Sequence, residues 1–323
     1  MRRQEFQMLD ATVATAYIAA RRGRRLGSLH LAWSNWGFGP EPLARSAERL
    51  RSNGIDFIEL HGNRYGPDLG YRTEAVRRIL DDHGLTVSGI CGMATASSEF
   101  ASNRHHVRQR AIDYFRRQAD FCLELGGAYV LIVPGAVGRN VPYDNSEFGR
   151  AVEAIRIVAD YFESIGVDAA VEPIRSEEVS LCHTFADATR LIEEVGSPRI
   201  RYINGDLFHM LAGESHVGST ILSSGDRLRN LHLADSNRRA LGLGQLDLDV
   251  VLMALFAIGY DQRGGYCTAE PLGPGADPYR ALWNLQDPEV LDLLVSRTAL
   301  TFRNRQDALL SADDDDVRSR YVE

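Results

Sequence analysis

Short apolar runs and longer amphipathic segments alternate along most of the chain. The runs are rich in β-branched residues and fall at 29–33, 57–61, 87–91, 129–133, 169–172, 200–203, 231–234 and 266–270. Apolar runs this short, bounded by turn residues, predict buried strands. Between them, segments 40–52, 72–83, 106–125, 147–165 and 186–195 repeat their apolar positions at helical spacing, and 218–225, 247–258 and 278–303 continue the pattern. Gly54, Gly84, Gly126, Gly166, Gly196 and Gly259 stand where a helix would end before the next strand. Glycine suits that place because it enters the left-handed region without a Cβ clash.

Eight strand–helix units predict parallel strands with right-handed crossovers. The expected fold class is therefore α/β, a closed (β/α)8 TIM barrel. An open doubly wound sheet would carry a glycine-rich phosphate loop after its first strand. Here that segment reads Trp33-Ser34-Asn35-Trp36-Gly37-Phe38-Gly39-Pro40, with no GxGxxG.

The ends read differently. Leu9, Val13, Tyr17 and Ala20 recur at helical spacing, and a basic cluster (Arg21, Arg22, Arg24, Arg25) follows them. Asp10 inside the segment, and basic residues after rather than before it, argue against a secretion signal. Residues 1–26 are thus read as a helix and basic linker, capping the barrel floor or making a subunit contact. Residues 27–305 form the expected catalytic barrel. Residues 306–323, with the acidic run at 313–316, are expected to be a flexible tail.

Composition narrows the classes. The 323 residues, 44% of them hydrophobic, suffice for one large core. A net charge of −8 opposes nucleic-acid binding, which needs a basic surface. No apolar run reaches the roughly 20 residues that a membrane span needs. Cys91, Cys122, Cys182 and Cys267 are scattered without a CxxC pair, so they read as small buried hydrophobes in a reducing cytoplasm.

Candidate chemistry follows from where barrel active sites form, at the C-terminal ends of the strands. Strand five ends in Glu172, strand six in Asp206, strand seven contains His232 and strand eight ends in Glu270. Three carboxylates crowded at one rim repel unless a cation or proton is shared among them. Oxygen ligands with one nitrogen suit Mn²⁺, and also Mg²⁺ or Co²⁺, better than a structural zinc. Glu178, His209 and Arg238 follow these ligands closely and are candidates for contacting the hydroxyl groups of a polyol. His61, at the end of strand two, is a candidate for catalysis or for a structural contact.

At these residues the chain resembles the xylose-isomerase-like sugar isomerase and epimerase superfamily, over roughly residues 26–303. The matching pieces are Val171-Glu172-Pro173, Gly205-Asp206-Leu207-Phe208-His209-Met210, His232-Leu233-Ala234-Asp235-Ser236-Asn237-Arg238 and Ala269-Glu270-Pro271-Leu272-Gly273. Ketose 3-epimerases of that superfamily are similar at the same places. The resemblance implies that Glu172 and Glu270 exchange a proton beside a carbonyl, and that Glu178, His209 and Arg238 hold substrate oxygens. Repair endonucleases of the superfamily use many histidines and a basic groove, which this acidic chain lacks.

The loops depart from the epimerase pattern at 61–70, 133–139, 240–249 and 270–279. These variants are more similar to the catalytic α subunit of bacterial C-glycoside deglycosidases. That resemblance implies a carbon–carbon lyase acting on 3-keto-C-glycosides, working with a small β subunit in a hetero- or homo-oligomer. The alternative is a ketose 3-epimerase or sugar isomerase. A ketone at C3 makes the C2 proton acidic, and a bound metal would stabilise the resulting enolate. Cleavage and epimerisation share that first half.

Overall fold

A computed structural model describes residues 3–62, 72–272 and 284–322. Eight strands run in chain order: β1 (His30–Ser34), β2 (Phe57–His61), β3 (Thr86–Cys91), β4 (Val130–Ile132), β5 (Ala169–Val171), β6 (Ile200–Asp206), β7 (Leu228–Leu233) and β8 (Tyr266–Ala269). Each pairs in parallel with the next, and β8 closes on β1 with Trp33 opposite Ala269. The expected closed (β/α)8 barrel is therefore the fold.

The surrounding helices are α2 (Leu43–Ser52), α3 (Thr73–His83), α4 (His105–Leu125), α5 (Glu147–Ile165), α6 (Phe185–Val195), α7 (Leu207–Gly213), α8 (Val217–Ser224), α9 (Leu248–Ala257) and α10 (Pro288–Ser311). The expected helix at 40–52 starts only at Leu43, because Pro42 occupies its N-cap with extended backbone. The helix placed at 278–303 runs instead from Pro288 to Ser311, capped by the Asp287 side chain. Residues 273–283, including most of the strand-eight loop, lie outside the described residues, as do 63–71 of the strand-two loop.

The N-terminal segment is a helix, α1 (Arg3–Gly23), which buries Val13, Ala14, Tyr17 and Ile18. It packs against α8 and α9, adding a layer outside the barrel. Its Tyr17 hydroxyl donates to the Leu309 carbonyl at 2.6 Å.

The acidic C-terminal run is not a frayed tail. It forms a helix, α11 (Asp314–Tyr321), whose N-cap Asp313 and N3 residue Asp316 make a reciprocal capping box. Acidic side chains in a first turn complement the exposed amides and the helix dipole there. Val317 is buried, and Arg22 donates to Asp314 at 2.6 Å, tying α11 to α1. Polarity alone concealed this apolar anchor.

Two features of the ladder position the rim. β6 runs past Ile203 to Asp206, so Asp206 both ends the strand and caps α7 through Phe208 N at 2.8 Å. Glu172 and Glu270 lie just beyond β5 and β8, and their backbone amides donate to Ile132 O at 3.0 Å and Leu233 O at 2.8 Å. Neighbouring strands thus fix where both side chains start.

Candidate active site and metal centre

The four expected ligands meet at one end of the barrel, all buried. His232 points Nδ1 at the carboxylates, 3.6 Å from Glu172 Oε1 and 3.7 Å from Glu270 Oε2. Asp206 joins through Arg238, whose Nη2 is 3.4 Å from Asp206 Oδ2 and 3.1 Å from Glu270 Oε2. The tightest groupings share these residues between two neighbouring triads. Ligand atoms of Glu172, Asp206 and His209 lie within 4.8 Å of one another, and so do those of Glu59, His232 and Glu270.

Burial decides the electrostatics. It pushes the Glu172 carboxyl up to about 7, against the pull of His232. The Glu270 carboxyl is also raised, again mainly by burial. Burial opposes charge on His232, but Glu270 and Glu59 overcome it and raise the imidazole well above its ordinary range. His209 is pushed down to about 4 by burial, so its ring is neutral near pH 7. Two carboxyl groups raised toward neutrality are suited to give and take protons there.

The donor set fits a divalent cation. Three carboxylates and one imidazole offer hard and borderline donors, and a field that favours positive charge on His232 equally favours a cation at its Nδ1. In that reading, Glu172, Asp206, His232 and Glu270 would hold the ion.

The remaining candidates separate. Glu178, His209 and Arg238 line one cleft together with Glu172 and Glu270. Among the described residues, His209 Nδ1 and Arg238 Nε and Nη1 are buried without a hydrogen-bond partner, which suits them to meet substrate oxygens. Arg175 and Arg238 stand 4.4 and 4.7 Å from the ring of Phe208, and Arg175 also donates to Glu178 at 2.7 Å. His61 is placed differently. It packs under Trp36, ring centroids 3.8 Å apart, and Trp36 rather than His61 lines the cleft. A role in supporting that wall fits its position better than proton transfer.

The cleft also has an apolar lining, with Trp36, Met93, Val133, Val137 and Ile174. Sequence reasoning named neither this wall nor Glu59. Glu59 is fully buried inside the barrel, with Oε1 2.9 Å from His232 Nε2. The available signal was a carboxylate in the middle of an apolar strand.

The turn after β7 sets Arg238. The Asp235 carboxylate accepts from the amides of Ser236 (2.7 Å), Gly242 (2.8 Å) and Leu246 (3.1 Å). Arg238 N donates to Asp235 O at 2.7 Å, which holds Arg238 in the left-handed region at φ +57°. An L-residue there costs about 1–2 kcal/mol, offset by the turn it closes.

The model of the xylose isomerase-like TIM barrel matches residues 47–284. The chain belongs to that family. Its relatives include a ketose 3-epimerase of Arthrobacter globiformis, 26% identical over 239 residues, which span 73% of this chain and 81% of that protein. A 3-dehydro-D-guloside 4-epimerase of Escherichia coli (strain K12) is 24% identical over 266 residues, 78% of this chain and 96% of that protein. The fold also superposes on the D-allulose 3-epimerase of a Methylomonas species, with a TM-score of 0.74 at 20% identity, covering 87% of this chain and 99% of that one. Both sequence relatives are sugar epimerases. They favour epimerisation over the carbon–carbon cleavage that the loop variants suggested. Among the described residues, no helix is long and apolar enough to cross a membrane.

Proposed function

We propose that this protein is a metal-dependent epimerase that inverts a carbon beside the carbonyl of a sugar. The observation that carries this is the convergence of Glu172, from the end of β5, and Glu270, from the end of β8, on the same imidazole nitrogen. Two proton-exchanging carboxyl groups reaching one point from different strands are what inversion of a carbon centre requires.

The chemistry then divides among the chain's own residues. One of the two glutamates removes the proton from the carbon beside the carbonyl, and the C–H electron pair moves toward the carbonyl oxygen as an enolate. The other glutamate returns a proton to the opposite face. A divalent cation, with Mn²⁺ the first choice, supplies Lewis-acid stabilisation of that oxygen when bound. His209 Nδ1 and the guanidinium of Arg238 hold substrate oxygens, and Glu178 lies beside them.

The test is exchange with solvent. In D₂O with Mn²⁺, deuterium should enter a ketose or 3-keto glycoside beside its carbonyl while the epimer accumulates. No exchange across a panel of both substrate classes would refute the reading.

A second reading keeps the same first step. The apolar wall and the relative that acts on a 3-dehydro-D-guloside favour a keto glycoside as substrate. With an aglycone joined by carbon at C1, the enolate collapses by elimination: the C3 ketone re-forms, a C1–C2 double bond forms, and the aglycone leaves with the C1 bonding pair and takes up the proton that the glutamate removed. Release of free aglycone from a 3-keto-C-glucoside, with or without a small β subunit, would favour this reading over epimerisation.

A further inference from the structure

The barrel interior below the rim holds a cluster of polar side chains whose geometry points at one atom. Glu59, on β2, is fully buried. Its Oε1 is 2.9 Å from His232 Nε2, while its Oε2 accepts from the Tyr129 hydroxyl at 2.6 Å and from Asn230 Nδ2 at 3.4 Å. Asn230 is itself fixed: its Nδ2 donates to Asn204 Oδ1 at 2.7 Å, and its Oδ1 accepts from Thr268 Oγ1 at 2.6 Å.

We propose that Glu59 is the positioning residue of the metal centre, holding His232 by Nε2–H so that Nδ1 is presented to the cation. This rests on the reading of His232 as a ligand. An ionised carboxylate only accepts, so the ring nitrogen facing it must donate. In the neutral ring that a cation would bind, the lone pair then lies on Nδ1, the atom that faces Glu172 and Glu270. A metal-bound histidine whose other nitrogen is held by a carboxylate is fixed in both tautomer and ring orientation.

The cluster is built for this purpose rather than for filling space. A buried carboxylate costs several kcal/mol unless donors satisfy it, so a core that needed only volume would hold an apolar side chain here. Three donors converge on Glu59 instead, from Tyr129 just before β4 and from Asn230 and His232 on β7. Gly89, which pairs with Glu59 across β2 and β3, completes the arrangement. A Cβ at that position would lie 2.4 Å from a ring carbon of Tyr129, so glycine is what lets the phenol cross the interior. Glu59 is close enough to His232 and Glu270 to be considered as a ligand, but both its oxygens are already engaged by donors.

The experiment uses the full chain, stripped with chelator and titrated with Mn²⁺ by calorimetry, alongside the visible spectrum of the Co²⁺ form. Glu59→Gln should bind Mn²⁺ about 10–100-fold more weakly and show an altered Co²⁺ spectrum. A folded Glu59→Gln with wild-type affinity and an unchanged spectrum would overturn the inference. If that variant does not fold, Tyr129→Phe decides: it removes one donor to Glu59 and should weaken Mn²⁺ several-fold, whereas unchanged affinity overturns the inference. A wild-type chain that binds no divalent cation would instead overturn the metal-site reading, and this inference with it.

Discussion

Arg238 donates from Nη2 to Glu270 Oε2 at 3.1 Å, so a fixed positive charge sits against a carboxylate that is also a candidate ligand and proton carrier. Two consequences have opposite signs. Removing the charge relieves repulsion of a cation at the same carboxylates, so Arg238→Ala should bind Mn²⁺ more tightly than wild type. It should also lose a donor to the developing enolate, lowering turnover by about 10²–10³-fold. Lysine lacks the planar fork and should not restore turnover. Calorimetry and steady-state rates measured on the same preparation check both signs.

The proton-transfer pair can be tested by isosteric change. Glu172→Gln and Glu270→Gln should each lower turnover by about 10²–10⁴-fold, as expected when a general acid or base is lost. If the two glutamates act on opposite faces, each variant should still exchange the proton that the remaining carboxylate reaches. Partial reactions followed by NMR in D₂O would show this. Wild-type-like turnover in either variant would remove that residue from the chemistry.

Buried carboxylates at one rim make the fold sensitive to the cation. EDTA should abolish activity, and Mn²⁺ or Co²⁺ should restore it. Because a ligand bound only by the folded state stabilises it, a metal at 100-fold its Kd should add about 2.7 kcal/mol to stability. Thermal unfolding with and without metal reads this directly, and identical melting curves would count against the site.

Arg139 holds the cleft's apolar wall from behind. Its Nη2 is 2.6 Å from Glu99 Oε2 and also contacts Glu147, and Tyr143 donates to Glu99 at 2.7 Å. The same loop places Val137 in the wall, and Gly138 N donates to Glu178 O at 2.9 Å. Arg139→Ala removes the cation shared by two buried carboxylates, so it should destabilise the fold by about 3–5 kcal/mol in urea titration. A raised KM with little change in kcat should accompany it, since the wall rather than the proton carriers is disturbed.

Much of the fold was legible because strand and helix periods differ. The strand boundaries that moved are instructive. β6 continues through Asn204 to Asp206, and β7 begins at Leu228, three residues before its apolar run. In both cases polar residues extend the ladder, and Asn204 and Asn230 do so because they face partners inside the barrel. A hydrophobicity pattern ends where polarity begins, so it cannot see a polar interior. The same rule hid α11, whose acidic surface surrounds one buried valine.

The sequence by itself determined the barrel and the rim. Alternating periods dictate strand–helix units, eight units close, and each strand's last polar residue is delivered to the same end. That is why Glu172, Asp206, His232 and Glu270 could be named without coordinates. Only the tertiary structure decided what stands behind them. Glu59 and His232 are 173 residues apart and meet across the barrel interior. His61, equally polar and on the same strand, turns to Trp36. Alternation along a strand sends Glu59 and His61, two residues apart, to the same face, but which partner waits for each depends on closure and register, which no local pattern encodes.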